Sequence, residues 1–571
     1  MQKIKIQIAE ELKTQIQNIN SAATLETEEI VQMLEYPPDA NLGDLALPCF
    51  KLSKTLRRSP VQIAEQLASG IEGCEAVAEC KAVNGYLNIF VSNEYLCGKV
   101  VSEIIAKGED YGKNDAGEGK TVVLDYSSPN VAKPFHLGHL GTTVIGHSIR
   151  RLFEFSGYKC VGINHLGDWG TSFGKQIVAL KKWGDTSKIE EGGVDGLVTL
   201  YQKFHEEAEA KPELFDEARA EFTKLENGDE ENTELWKRCI AISIEEYQNT
   251  YKQLDIEFDL YMGESAFTDK MPAQVEKMRD KGLLKIDDGA SIVDLADYNM
   301  PPCLILKRDG STLYPARDIA AAVYRHDTYD FDRCVYVTSA GQSLHFAQWF
   351  KVVELMGYDW SNKLVHVPYG TMSIGGAKLG TRSGNVVWLK QLLGMSVDKV
   401  RDVINEKNPD LPNKEQVAEE VGVGAIVFNY LLNSRIKDIS FDLEAALDFN
   451  GNTGPYVQYT YARCCSILEK AGELPKDVEL NITDNSESVL VKTLSRFPEK
   501  VKDALAQYEP SVITRYILDV ASAFNRFYHD CQILSADDEK VKKTRIILTA
   551  ATKTVLGNAF GLICLKKPEK I

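Results

Sequence analysis

The alternation of apolar and polar residues divides the chain into stretches of different period. Met1–Asn18 carries apolar residues at helical spacing, and a second helix is predicted from Val61. Gly85–Val91 alternates as a strand does, with Tyr86, Asn88 and Phe90 on one face and Leu87, Ile89 and Val91 on the other. Such a strand either sits in a two-sided sheet or offers aromatic and amide groups to an unstacked base. Apolar runs at Thr121–Leu124 and Lys159–Asn164 enclose a helical stretch from about Gly138 to Phe155, which suits one parallel crossover. From about Lys181 to Asn299 the pattern is charged and helical, broken by glycine and proline. Within it Glu206–Glu231 is dense in Glu and Lys and predicts solvated helices. The sheet-bearing fold is expected to resume at Pro302–Leu306, and Cys334–Thr338 reads as a further buried strand. Beyond Leu389 nearly everything is helical and rich in Leu, Ile, Val and aromatics, as in a bundle.

At 571 residues the chain is too long for one core, so three or more domains are expected. The pattern divides it into an α+β unit (1–117), a Rossmann-type parallel-sheet domain (118–390, with an insertion at about 181–299), a helical connection (391–449) and an all-helical domain (450–571). The Gly- and Asp-rich stretch Gly108–Lys120 reads as the first linker. Twelve cysteines without CxxC pairs argue against a zinc ribbon or a disulfide framework and for a reducing cytoplasm. No signal-peptide or membrane-spanning run stands out. A net charge of −18 does not advertise nucleic acid, but binding needs only a local basic surface.

The densest chemistry follows the first apolar run, at Asp125-Tyr-Ser-Ser-Pro-Asn-Val-Ala-Lys-Pro-Phe-His-Leu-Gly-His-Leu140. A strand, a turn and a helix N-terminus collect unpaired N–H groups and the positive end of a helix dipole, which favour phosphate. His136 and His139 share a face there, and Gly138 lets a flat ring approach the backbone. Taken alone, two such histidines are more often packed or metal-bound than catalytic. No Walker lysine motif is present. Farther on, Tyr314 and Asp318 lie four apart on a predicted helix and point the same way, although an Asp near a helix start is also a common cap. Ala377–Val387 is a Gly-punctuated basic loop able to close over a triphosphate.

The string Ser-Ser-Pro-Asn-Val-Ala-Lys-Pro-Phe-His-Leu-Gly-His resembles the first signature of class I aminoacyl-tRNA synthetases, and in this extended form the arginyl-tRNA synthetases. Four further stretches fit that family in order. His165–Thr171 resembles its second-strand motif, although Ser172 stands where the family usually has Gln and is given no role. Tyr314-Pro-Ala-Arg-Asp318 resembles its Tyr-x-x-x-Asp pair. Ala377–Val387 resembles the degenerate second signature, and Asn452–Arg463 the start of the anticodon-binding domain. The resemblance implies a reaction of L-arginine, ATP and tRNA(Arg), with Mg²⁺ accompanying ATP and no protein-bound zinc. It implies a cytoplasmic monomer, and activation that requires tRNA.

The same resemblance assigns residues. His136, His139, Lys133 and Lys378 would neutralise charge on the phosphates, with Gly138 and Arg382 also at the ATP. Thr381 replaces the second signature lysine, and Lys133 would make up the missing charge. Asn130 and Gln342 would orient the arginine backbone. Asp318, Tyr314 and Asp125 would hold its guanidinium, a planar cation suited to a carboxylate and an aromatic neighbour, with Ser127 in the same pocket. His345 is either a ligand-side or a structural histidine. Tyr86 and Asn88 are expected at the tRNA elbow. Tyr456 and Tyr459 are expected on anticodon-loop bases, unless they are core aromatics. Alternatives are another class I synthetase, a small nucleotidyltransferase or a non-catalytic tRNA-binding relative. Pyrophosphate exchange with each amino acid and aminoacylation separate these.

Overall fold

The computed structural model describes residues 1–571 except 72, 134, 375–376, 379–387 and 477–478. The N-terminal unit opens with helix Gln2–Ile19, which buries Ile4, Ile8, Leu12 and Ile16 along one face. Its sheet has strands β1 (Leu45–Pro48), β2 (Val77–Val83) and β3 (Tyr86–Val91) in the antiparallel order β1-β3-β2. β3 is therefore the middle strand, and exposure is uneven along the face expected to be open. Tyr86 at its end is exposed, but Asn88, paired with Ala46 and Lys81, is only 5% exposed. Gly108–Lys120 is not a loose linker either. Tyr111 is buried against Phe497, and Asn558 donates to the carbonyls of Gly108 (3.0 Å) and Tyr111 (3.2 Å).

The central sheet is parallel: β4 (Thr121–Asp125), β5 (Lys159–Asn164), β6 (Leu260–Tyr261), β10 (Arg333–Ser339) and β11 (Leu364–Tyr369). Its order is β11-β10-β4-β5-β6. The chain builds outward from β4 to one edge, then returns to the other side at β10. The crevice beyond the ends of β4 and β10 is thus the topological switch point, where open α/β sheets bind ligands. The signature helix, Leu137–Phe155, crosses from β4 to β5.

The insertion differs from its expected bounds. Helices Thr171–Trp183, Gly193–Ala210, Leu214–Glu226 and Glu230–Gln253 are not simply solvated; Val178, Phe204, Ala208, Leu214 and Ala218 form a small core among them. β6 rejoins the parallel sheet inside the stretch read as helical. It is too short to leave an apolar run in the sequence. β7 (Leu284–Asp287), β8 (Ala290–Val293) and β9 (Cys303–Leu306) make an antiparallel sheet, so the run at Pro302–Leu306 does not rejoin the parallel one.

The C-terminal helices Gly454–Ala471, Asn485–Leu494, Phe497–Gln507, Ser511–Asp530 and Glu539–Leu562 pack as a bundle. The last of them docks on the back of the signature helix. Ser148 Oγ donates to the Leu562 carbonyl (2.7 Å) and Arg151 to that of Gly561 (2.7 Å). Arg151 also pairs with Asp255 (2.8 Å), which meets Lys566. Among the described residues no helix is long and apolar enough to cross a membrane.

Candidate active site

His136 is the N-cap of the signature helix, with φ −104° and ψ 166°. Its Nδ1 accepts from the Gly138 amide (3.0 Å), while its own amide donates to His139 Nδ1 (3.2 Å). This is a reciprocal capping box built from two imidazoles instead of the usual hydroxyl and carboxylate. The rings stack, centroids 3.8 Å apart and 23° from parallel. Each Nδ1 faces a backbone donor and so must be an acceptor. In the neutral ring that leaves the proton on Nε2, on the far side from the helix. Burial lowers the His136 pKa, and burial followed by the charges of His136 and Lys133 lowers that of His139 well below the ordinary histidine value. The pair is therefore neutral at pH 7, with two Nε2–H donors at a helix N-terminus.

The loop before it is strained and pinned. Ser127, Ser128 and Ala132 have φ of +70°, +48° and +57°, left-handed backbone that costs each non-glycine residue on the order of 1 kcal/mol. Two insertion-helix tyrosines hold it. Tyr247 Oη donates to the carbonyls of Asn130 (2.7 Å) and Lys133 (2.8 Å), and Tyr251 Oη meets Ser127 Oγ (2.7 Å) and Asn164 (2.9 Å). His136 also makes a backbone bridge with Trp388, and the Leu389 amide donates to Phe135 O (3.1 Å). The first signature is thus tied to the residues just beyond the second. Lys378 pairs through its backbone with Ser373; its side chain and the whole of Arg382 lie outside the described residues. Lys133 is half-buried, and burial lowers its pKa.

Two expected arginine ligands are corrected. Asp125 already pairs with the fully buried Arg325 (2.8 Å) and accepts from Ser128 Oγ (2.8 Å). Its charge is engaged within the fold. Ser127 is buried, with its hydroxyl shared between Thr143 (2.8 Å) and Tyr251. Asn130 and Gln342, by contrast, are both exposed, beyond the ends of the adjacent strands β4 and β10. Asn130 depends on Gly167, because a Cβ there would lie 2.2 Å from its Oδ1.

Tyr314 opens the Tyr314–Tyr329 helix and is 65% exposed. Asp318, one turn on, accepts from His345 Nε2 at 2.6 Å. Sequence reasoning missed the second acid beside it. Glu264 contacts Arg317, whose guanidinium lies 5.8 Å from the Tyr314 ring. Burial pushes the Glu264 carboxyl up to about 7 against the pull of Arg317, and the nearby Asp318 and Asp168 add to the rise. Asp168 is itself buried, accepting from the Ser265 amide (2.9 Å) and hydroxyl (2.6 Å). A crowded group of acids beside a crevice is a place for a cation.

In the helical domain Tyr456 is half-buried, and its hydroxyl accepts from Asn525 (3.0 Å), which turns it toward the bundle. Tyr459 is exposed, and Arg463 lies between its ring (5.0 Å) and that of Tyr528 (4.8 Å). Tyr528 comes from another helix, so no local spacing foretold this stack.

Comparison with known proteins bears on the whole length. The description "tRNA synthetases class I (R), catalytic domain" matches residues 100–443. "Arginyl tRNA synthetase N terminal domain" matches 4–91 and "DALR anticodon binding domain" matches 457–571. An arginine–tRNA ligase of Alkaliphilus metalliredigens is 49% identical, with 100% of both chains covered. One of Clostridioides difficile is 47% identical, also over 100% of both. The solved arginyl-tRNA synthetase of Thermus thermophilus shares the fold, with a TM-score of 0.82 at 24% identity over 98% of this chain and 99% of that one. The chain belongs to the arginyl-tRNA synthetase family of class I aminoacyl-tRNA synthetases.

Proposed function

We propose that the histidine pair and the acid pocket serve the two ends of one reaction, the ATP-driven joining of L-arginine to tRNA(Arg). In the first step an oxygen of the arginine carboxylate bonds to the ATP α-phosphorus. The bond from that phosphorus to the bridging oxygen breaks, and pyrophosphate leaves. In the second, the 2′-hydroxyl oxygen of the terminal adenosine bonds to the arginyl carbonyl carbon, its proton passes to the departing phosphate, and AMP leaves with the bonding pair. Neither step calls for a covalent enzyme intermediate, so the protein works by positioning and by stabilising charge.

The Nε2–H groups of His136 and His139 donate to phosphate oxygens, where a neutral donor adds no desolvated charge of its own. Gly138 admits the nucleotide to the backbone; Lys133, Lys378 and Arg382 offset the charge of the leaving pyrophosphate. Mg²⁺ would accompany ATP, where it would offset phosphate charge. Asp318 and Glu264 take the guanidinium beside Tyr314, while Asn130 and Gln342 orient the amino acid backbone. Tyr86 in the N-terminal domain and Tyr459, Arg463 and Tyr528 in the helical domain stack against unpaired bases, with Tyr456 supporting them from inside. The enzyme acts in the cytoplasm as a monomer.

The observation that carries this assignment is the imidazole capping box, which turns two half-buried neutral donors outward at a helix N-terminus. Charging of total tRNA with labelled arginine tests it. Arginine-dependent charging that falls steeply in His136→Ala is the expected result. Undiminished charging in that variant would remove the histidine pair from the chemistry.

A further inference from the structure

We propose that His345 is a positioning residue for arginine recognition: its Nε2–H holds one oxygen of Asp318 so that the rest of that carboxylate is presented to the guanidinium. The inference rests on the assignment of Asp318 as an arginine ligand and adds a role for a residue outside that contact.

Asp318 lies on the Tyr314–Tyr329 helix, and His345 lies in the first turn of helix Ser343–Leu355, just beyond β10. The Nε2···Oδ2 separation is 2.6 Å, and both side chains keep about a quarter to a third of their surface (30% and 26%). The contact is therefore at the wall of the crevice, not inside the core. The imidazole is backed by a ring shelf. It meets Phe346 edge-on (5.5 Å), Phe346 stacks on His366 (4.4 Å, 5°), and His366 is tied to Thr338 on β10 (2.8 Å). That shelf fixes the direction from which His345 approaches.

Stoichiometry permits the role. An ionised carboxylate has about four lone-pair sites, so one hydrogen bond from His345 leaves enough for a paired guanidinium contact. Electrostatics gives it a purpose. Glu264 is close enough to feel the charges of Asp318 and Asp168. Like charges in one pocket push apart, and an unheld Asp318 side chain would rotate away from its neighbours. A donor behind it opposes that rotation before arginine arrives. Preorganisation of this kind appears in binding, not in the chemical step.

The test uses the full-length enzyme with tRNA(Arg), ATP and arginine, in the variants His345→Leu, His345→Asn, His345→Gln and Asp318→Asn. Gln places an amide N–H where Nε2 stood, and Asn is polar but too short to reach. His345→Leu and His345→Asn are expected to raise the arginine KM about tenfold or more, with kcat and the ATP KM within about twofold, the loss of a hydrogen bond to a charged group. His345→Gln should restore the arginine KM to within about threefold of the parent. If Leu fails to fold, Asn carries the comparison. An arginine KM that falls or stays level in Leu and Asn overturns the proposal, since His345 would then compete with arginine or stand aside. Equal arginine KM in Gln and Asn overturns it as well, because the donor would not matter. Asp318→Asn separates the two levels. If it leaves the arginine KM unchanged, the assignment of Asp318 itself fails; if it raises that KM while the His345 variants do not, only the present inference fails.

Discussion

The phosphate end and the guanidinium end proposed for this site are built on opposite plans. The centre of the phosphate end is contiguous: one loop and one helix start supply His136, Gly138, His139 and Lys133, and the two rings satisfy the backbone that presents them. Its histidines are neutral, and burial lowers the pKa of its lysine, Lys133. The guanidinium end is assembled from Glu264, Asp318 and His345 on three separate elements, and each carboxylate leans on an internal cation or donor. A phosphate can be met with backbone dipoles and neutral donors, which a local turn creates. A guanidinium needs formal negative charge, and acids gathered in one place must be held against each other by the rest of the fold.

The sharpest way to break this contrast is to remove charge without changing shape. Asp318→Asn should cost on the order of 3–5 kcal/mol of arginine recognition, about 10²- to 10³-fold or more in kcat/KM for arginine. ATP binding and melting temperature should hardly move. Citrulline, neutral and nearly isosteric, should lose much less as a competitor. A folded variant with near-normal arginine efficiency would falsify the role of Asp318. The same change at Asp125 should do the reverse. Its partner Arg325 is fully buried, so Asp125→Asn strands a cation in the core and should destabilise the catalytic domain by about 3–5 kcal/mol. The protein that remains folded should keep its arginine KM. A loss of arginine affinity without a loss of stability would return Asp125 to the pocket.

At the other end, His139 does two jobs that can be pulled apart. Asn can keep the acceptor that caps His136 but has no Nε2–H donor. His139→Asn should therefore melt near the parent temperature yet lose about 10²-fold in kcat, the usual effect of removing one transition-state donor. His139→Ala should add a cap loss of about 1 kcal/mol in stability. If Asn restores activity as well as stability, the ring serves the helix alone.

The contrast also explains what could be read from the sequence. The signature helix, β4, β5 and β10 came through because each is a local run with its own period. The histidine pair and the Tyr314–Asp318 spacing came through because both partners lie within one turn. Glu264 did not, because a single Glu in a charged stretch carries no spacing signal and its neighbours Arg317, Asp318 and Asp168 lie elsewhere in the chain. β6 was lost because a two-residue strand leaves no apolar run. Asp125 and Ser127 had the right chemistry, but their partners Arg325 and Tyr251 are distant, so nothing local revealed that both were already engaged. Asn88 is only 5% exposed, which alternation could not show, because it gives the two faces of a strand and not what covers either. Tyr528, which completes the stack on Arg463, is visible only once two helices are side by side.

A further expected effect is a pH dependence, and it sharpens the claim that the guanidinium end stores repulsion. Burial pushes the Glu264 carboxyl from its ordinary 4.5 up to about 7, despite Arg317. Between those values the folded protein binds more protons at this residue than the unfolded chain does. Stability must then fall as pH rises through that window, since it rises with pH only where the unfolded state holds more protons. The size is on the order of 2 kcal/mol once partial solvent access is allowed for, which for one domain is a shift of several degrees. Glu264→Gln cannot ionise and should lose this dependence. Its melting temperature, measured against the parent from pH 5 to pH 8, should gain with each step upward and level off above about 7. Saturating arginine should narrow the gap in the parent, because a guanidinium on Glu264 offsets the charge that burial penalises. Parallel melting curves across the range, with and without arginine, would mean that Glu264 is ionised throughout and that Arg317 alone balances it.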